Sequence, residues 1–549
     1  MQLVNIGLGE YYLKDILGTR LGEKMNIAID VIPIRNTGEM GGAFQTVVEL
    51  IKGLAMLKEA DKYYLITAEW NHDFFEPFEK MGIERILLSS SPNNGRKSQS
   101  RLLSKIKSKT SKLFKKINYF DNKNYILKSR SIDVLFCPMS AINYSEPGIP
   151  ILSLIYDLQH EYYPQFFSSE ELNHRKQFYI DIAEKVDYVA CISEFTKNSF
   201  VDKLDFPPDK AEVIHISIQN RANNLDENEI KEIINKFGFS ERKYLYYPAN
   251  FWQHKNHRIL LMAMAILKHK RPELELHLCL TGNLLGKEEE FEDILRQMNL
   301  KDCVHHCGYI TDKEVAALMA GSSALVFPSL FEGFGIPIAE AMSSGVPVLC
   351  SNKTSLPEVG GDAVLYFDPR KPEEIAERIY EVMADAETQN RMREKGLLQV
   401  MKFDNTQMIT QYHNLIKKTA NGKSNNKYTI QGLYADGWSG KKIDIYLKSN
   451  TEKSRVLNVE VNLPPFSPNK KVKLIIKNNN KIKKINIFSG ENIVIKESIS
   501  KEAKEISLEV SATFIPSEIG LPDDRELGVL ISKMDIQGNE DGHVIKSFI

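Results

Sequence analysis

The chain has 549 residues, 42% hydrophobic and 26% charged, with a formal net charge of −1. This ordinary globular balance excludes wholesale disorder and a chain-wide polycation built for nucleic acid. At roughly 150 residues per domain the length allows three or four domains. No run of 18 apolar residues occurs, so no membrane-spanning helix is expected. Six irregularly spaced cysteines make no disulfide framework.

Residues 1–24 read as an N-terminal extension with no assigned role. They contain Glu10, Lys14, Asp15, Arg20 and Glu23 and lack the apolar core of a signal peptide. A cytoplasmic location is the expectation. From Met25 onward, short β-branched runs alternate with amphipathic stretches. Strands are predicted at 25–34, 62–68, 83–88, 132–137, 150–156, 186–192 and 211–218, with helices at 43–60, 168–185 and 194–203. The alternation restarts beyond a polar stretch at 219–226, with strands at 243–249, 273–281, 302–307, 323–328 and 346–351. Helices are predicted at 255–270, 287–299, 311–320, 336–344 and 371–400. Two α/β units with parallel sheets are expected, 25–219 and 220–420, and a ligand belongs in the cleft between them.

Beyond a turn-rich linker at 421–427 the runs become short and strand-like, at 442–447, 455–462, 471–477, 482–488, 492–496 and 505–513. Residues 428–549 read as a β-sandwich, with Asn478, Asn479 and Asn480 as a hairpin turn. One stretch departs from the charge balance. From Arg96 to Arg130 there are twelve Lys or Arg against one acid, Asp121, and apolar residues recur there at helical spacing. Such a segment either lies on an anionic membrane surface or packs its apolar stripe on its own domain.

Several patterns fail as motifs. Gly7-Leu8-Gly9 and Gly333-Phe334-Gly335 lack the third glycine of a dinucleotide fingerprint, having Tyr12 and Ile338 there. Gly422-Lys423-Ser424 has Lys417 in place of the first glycine of a phosphate loop. Cys303-Val304-His305-His306-Cys307 reads as buried strand residues, not a zinc site, because strand side chains alternate between faces. The segment 323–345 is more informative. A strand ends at Pro328, a loop carries Glu332, Gly333, Phe334 and Gly335, and a helix begins near Pro337. Small residues before a helix N-terminus make an anion site. Glu332 and Glu340 face the same cleft at different depths, suited to sugar and ribose hydroxyls. Lys255, at the start of another helix, suits a diphosphate leaving group. Gly41 and Gly42, in the run Gly38–Gly42, allow close backbone approach to a ligand.

With these residues the chain resembles the large retaining glycosyltransferase family 4. The E-x7-E pair Glu332 and Glu340 fits it, as do SLPEVGG (355–361), GDAVLYFDP (361–369), DLQHEYYPQFF (157–167) and CISEFTK (191–197). The likeness spans 25–418, about 70% of the chain. It implies a GT-B fold of two facing Rossmann-like domains. It implies that Glu332 contacts donor sugar hydroxyls and Glu340 the ribose. Lys255 would hold the diphosphate with backbone from Gly333 to Ile336, and Gly41 and Gly42 would approach donor and acceptor. His160 is a further catalytic candidate. Members often carry an arginine five residues before the lysine; here Asn250 stands there, leaving the charge to Lys255, the helix dipole or another cation such as Arg258.

The resemblance extends to bacterial O-antigen mannosyltransferases. It implies transfer of a sugar, by preference mannose from GDP-mannose, to a lipid-linked or polysaccharide acceptor, without metal or other cofactor. The alternatives are a UDP-sugar donor, a non-catalytic glycan- or partner-binding scaffold, and a sugar-nucleotide epimerase. LYADGWSG (433–440) and TFIPSEIGLPDDRELGVLI (513–531) resemble a β-rich module of polysaccharide-assembly transferases. Trp438, Tyr434 and Phe514 there are either sugar-stacking or core residues. The Lys-rich run 470–484 faces a protein partner or anionic lipid. Nucleic acid is not an expected partner.

Overall fold

The computed structural model describes residues 24–35, 41–57, 61–88, 126–218, 225–422, 428–433, 438–447, 455–478, 481–500, 503, 505–519, 526–538 and 542–547. Residues 1–23, Gly38 to Met40, 96–125 of the basic stretch, most of the polar linker at 219–226, the linker at 423–427, Tyr434, Asn479 and Asn480 lie outside these.

The first unit is built on β1 (Asn26–Asp30), β2 (Lys62–Thr67), β3 (Glu84–Leu87), β4 (Val134–Cys137), β5 (Ile151–Ile155), β6 (Tyr188–Cys191) and β7 (Ala211–Val213). They pair in the order β3-β2-β1-β4-β5-β6-β7, all parallel. Its helices are α1 (Gly41–Met56), α2 (Ile126–Ser129), α3 (Gln159–Tyr162), α4 (Ser169–Lys185) and α5 (Glu194–Leu204). Central strands are mostly apolar: Ile27, Ala28 and Ile29 are fully buried, as are Leu152 and Leu154, with Asp30 and Ser153 the buried polar residues among them. That is the pattern of a sheet covered on both faces.

The second unit repeats the plan. Strands β8 (Tyr244–Pro248), β9 (His277–Thr281), β10 (Val304–His306), β11 (Ala324–Phe327), β12 (Val348–Ser351) and β13 (Leu365–Phe367) pair in the order β10-β9-β8-β11-β12-β13. Helices α6 (Glu227–Lys236), α7 (His257–Lys270), α8 (Glu288–Gln297), α9 (Asp312–Ala320), α10 (Ile336–Ser343), α11 (Leu356–Gly360), α12 (Pro372–Ala384) and α13 (Ala386–Val400) surround it, and α14 (Asn405–Asn421) follows them. The helix expected over 371–400 is two helices. Asp385 is extended, and its side chain accepts the Glu387 N–H, so an N-cap interrupts the run. The long α14 returns to the first sheet. Tyr412 packs on Phe136, and His413 Nε2 lies 2.8 Å from Asp61 Oδ2. Gly53 of α1 makes this passage possible, since a Cβ there would lie 2.1 Å from Ile409 Cδ1.

The strand ends of the two sheets meet. Segments following β5 and β6 touch segments following β11 and β12. Ser193 Oγ donates to the Gly333 carbonyl at 2.7 Å, and Tyr163 Oη to the Leu330 carbonyl at 3.2 Å. The Glu358 carboxylate of α11 accepts the Glu194 N–H at 2.8 and 2.9 Å and lies 2.6 Å from His215 Nε2. A carboxylate from one unit thus sits on the N-terminus of α5 in the other, where the helix dipole favours negative charge.

The C-terminal region is two antiparallel sheets. Strands β14 (Tyr428–Leu433), β15 (Ser439–Leu447), β16 (Arg455–Asn462), β17 (Lys471–Asn478), β18 (Lys481–Phe488), β19 (Asn492–Ile499), β20 (Glu505–Val510), β21 (Leu530–Gly538) and β22 (Gly542–Ser547) form the orders β14-β15-β20-β17-β18 and β19-β16-β21-β22. Leu457, Val459 and Val461 of one sheet and Val472, Leu474 and Ile476 of the other share one buried core. Strands β14, β21 and β22 were not foreseen, and Asn478 belongs to β17 instead of the turn. Phe514 is buried, and Trp438 packs against it and Phe466, so both serve the packing of the module.

Replacing Glu358 by Ala removes the acceptor of the Glu194 N–H, beside the Ser193 N-cap of α5, and the partner of His215. We expect a loss of about 1–2 kcal/mol, read as a lower urea midpoint; an unchanged midpoint would show that the contact is not part of the stabilising interface.

Candidate active site

Two loops of the second unit carry the candidate residues. The first leaves β8 and reaches α7 through Asn256, a left-handed residue with φ 60°. Its side-chain amide donates to the carbonyls of Pro328 (3.0 Å) and Pro369 (2.6 Å), which ties three loops together. The Tyr247 hydroxyl donates to the Lys255 carbonyl at 2.6 Å. Lys255 is thereby fixed from its own backbone outward. Its ammonium lies 2.6 Å from Glu332 Oε1, with the two side chains only 19% and 13% exposed.

The second loop runs from β11 to α10. Ser355 Oγ donates to the carbonyls of Glu332 and Phe334, each at 2.9 Å, and the Glu332 N–H donates to Thr354 Oγ1. Gly333 rests against the opposite unit: a Cβ there would stand 2.2 Å from the Tyr156 carbonyl oxygen. Gly335 has φ 110° and is the N-cap of α10, which has no side-chain cap. Helix α10 therefore begins with backbone N–H groups that no side chain caps, and with the positive end of its dipole. Glu340 is half-buried further along the same helix. The Phe334 ring is buried against His215 and Phe403, so only its backbone is available to a ligand.

The local charge is simple. Burial, with the Lys255 charge adding to it, pushes His254 down to about 4; burial pushes His257 down to about 3. Both are neutral near pH 7, so Lys255 supplies the positive charge of this loop. Asn250 is engaged elsewhere: its Oδ1 accepts the Asn283 N–H at 2.8 Å. Arg258 is exposed on the first turn of α7.

From the first unit, Gly41 and Gly42 open α1. His160 in α3 is buried, with its ring stacked on Tyr179 at 5.2 Å, and Nδ1 has no hydrogen-bond partner among the described residues. Burial holds its pKa below the usual value. The residue brought against the Lys255–Glu332 pair is instead Asp157. Its Cβ lies 3.2 Å from where a Gly333 Cβ would stand. Its pKa is raised, first by burial and then by the Glu332 charge, while the Gln159 N–H and the charges of Arg175 and Lys255 oppose the rise. Sequence reasoning quoted the stretch 157–167 but passed over Asp157. It also gave no role to Ser193, Thr196 and Glu358, although a serine just before a helical run is a readable N-cap. Among the described residues no group of three or more His, Cys, Asp or Glu is placed to hold a metal ion. His305 and His306 are half-buried in β10, not buried, and His306 Nε2 is 2.8 Å from the Gly282 carbonyl oxygen.

Two parallel sheets whose strand ends meet are the GT-B architecture. Two solved structures share it at low identity: a glycosyltransferase from Rickettsia africae (17% identity, TM-score 0.51, 73% of this chain and 99% of that one) and Anabaena HepE in complex with UDP and glucose (16%, 0.53, 72% and 100%). Residues 229–399, which hold Lys255, Glu332 and Glu340, match the family described as Glycosyl transferases group 1. Curated relatives include the O-antigen chain mannosyltransferase B of Escherichia coli (26% identical over 254 residues, 46% of this chain and 66% of the relative). Others are an MMP alpha-(1->4)-mannosyltransferase of Mycolicibacterium hassiacum (38% over 102 residues, 19% and 24%) and the O-antigen chain mannosyltransferase RfbU of Salmonella typhimurium (23% over 346 residues, 62% and 86%). The matched part thus spans just under two thirds of the first of these relatives and about a quarter of the second.

The ion pair can be tested as a unit. Lys255→Met leaves a largely buried carboxylate without its cation and is expected to cost about 1–3 kcal/mol of stability. The double variant Lys255→Met/Glu332→Gln should cost less than the sum of the singles, by about 1 kcal/mol or more in a double-mutant cycle. Strict additivity in urea unfolding would mean that the pair is not coupled.

Proposed function

We propose that the chain is a retaining glycosyltransferase that moves mannose from GDP-mannose to a lipid-linked or polysaccharide acceptor in surface glycan synthesis, working at the inner face of the cell membrane. The observation that carries this reading is the Lys255–Glu332 pair beside the uncapped start of α10, in a cleft closed by the opposite unit. The mannose preference is supported by the names of the curated relatives. A UDP-linked donor is the second reading, favoured by the UDP in the Anabaena neighbour.

The chemistry follows from where charge develops. Breaking the anomeric bond puts negative charge on the departing diphosphate, where the Lys255 ammonium and the α10 N–H groups stabilise it. Glu332 accepts hydrogen bonds from sugar hydroxyls while its negative charge balances the growing positive charge of the sugar ring. Glu340 takes the ribose. Asp157 stands across the cleft from Glu332 and orients the sugar or acceptor from the opposite side. The acceptor hydroxyl attacks on the face the diphosphate leaves, and its proton passes to a diphosphate oxygen. No step calls for a metal.

Nucleotide binding and transfer test the reading together. GDP should raise the melting temperature of the wild type by mass action, and less so in Glu340→Ala. GDP-mannose with a lipid-linked acceptor should give an α-linked product, and Glu332→Gln should lower kcat by about 100-fold or more. A shift with UDP alone would move the assignment to the second reading. No shift with any nucleotide would leave a non-catalytic scaffold.

A further inference from the structure

The surface of the C-terminal module divides sharply in character. In β17 and β18, Val472, Leu474, Ile476 and Ile487 point into the sandwich core. The opposite face, by strand alternation, carries Lys471, Lys473, Ile475 and Lys477 on β17 and Ile482, Lys484, Asn486 and Phe488 on β18. Register places Lys471 opposite Phe488, Ile475 opposite Lys484 and Lys477 opposite Ile482. Residues 470–488 contain seven lysines and no acid, in a chain whose net charge is −1.

This face is open. Ile482 is 62% exposed and Phe488 50% exposed, and β18 is the outer strand of its sheet. Further along the same sheet the outward Tyr446 of β15 is buried, in electrostatic reach of Tyr144 of the first α/β unit. One side of the sheet is therefore taken and the β17–β18 side is not. Lys477 pairs with Glu509, but Lys473 and Lys484 have no acidic partner among the described residues. Lys471 lies over the Phe488 ring at 5.2 Å. At the same end, Phe466 is 54% exposed on the loop that Ser489 and Gly490 bind through their backbones.

We propose that this outward face of β17 and β18 docks the protein on an anionic lipid bilayer. Unpaired ammonium groups match the negative headgroup layer, and aromatic and β-branched tips between them suit the interface below it. A soluble polyanion would satisfy the lysines but give Phe488 and Ile482 nothing to enter. Lysines also guard edge strands against pairing with other chains. That role tolerates either sign of charge, whereas lipid docking does not. The inference goes beyond the transferase reading and stands without it, since vesicle binding needs no sugar nucleotide.

The test is co-sedimentation of the full chain with phosphatidylcholine vesicles, with and without about one third phosphatidylglycerol. Wild type should bind the anionic vesicles and not the neutral ones. Lys471→Glu/Lys473→Glu/Lys484→Glu should weaken binding by about tenfold or more while keeping edge charge, melting temperature and nucleotide binding. Ile482→Ala/Phe488→Ala, with every lysine in place, should weaken it several-fold. The proposal fails if the charge-reversed chain binds as wild type does, which would place docking elsewhere in the chain, or if wild type ignores anionic vesicles. It also fails if soluble polyphosphate binds wild type while the apolar variant binds vesicles undiminished, which would make the face a polyanion patch.

Discussion

Everything at the site depends on how closely two backbones approach across the cleft. The loop after β11 touches the loop after β5 at Gly333, where a single methyl group would stand 2.2 Å from the Tyr156 carbonyl oxygen. Around that contact Ser193 and Thr196 donate hydroxyls to the Gly333 carbonyl, and Glu358 crosses to accept the Glu194 N–H of α5. The glycine is needed here for space. The approach brings Asp157 from one unit against Glu332 and Lys255 from the other, so neither unit holds the site alone.

The charge arrangement follows from burial. A carboxylate and an ammonium that are both mostly buried must neutralise each other, and the two neighbouring histidines are kept uncharged by the same desolvation. The result is one cation and one anion at hydrogen-bond distance beside a helix start. A nucleotide sugar presents the complementary set: an anionic diphosphate and a hydroxyl-rich ring. Asn250 adds no charge to the site, and its amide oxygen holds the Asn283 loop in place.

Much of the architecture was legible in the sequence because a doubly covered parallel sheet needs apolar strands separated by amphipathic helices. The break between the units and the position of Lys255, Glu332 and Glu340 at loop and helix starts could be read from that alternation. The three-residue β13 was too short to give a period. The split at Asp385 was hidden because the apolar pattern continues on both sides of the cap. His160 is buried with its ring stacked on Tyr179, while Asp157 three positions earlier lies in electrostatic reach of the pair. Both lie just past the end of β5, and only tertiary packing decides which of them turns outward. Contacts between units, such as Glu358 with Glu194 and His215, have no local signature at all.

The C-terminal sandwich shares none of the cleft chemistry. Its strand alternation buries one apolar core and leaves a basic, partly apolar face. A crystal structure of the chain with bound GDP would show what the cleft holds. The diphosphate is expected within hydrogen-bonding distance of Lys255 Nζ and the first N–H groups of α10, with the ribose on Glu340. A diphosphate bound elsewhere, with the Lys255–Glu332 pair unaltered and the start of α10 untouched, would contradict this.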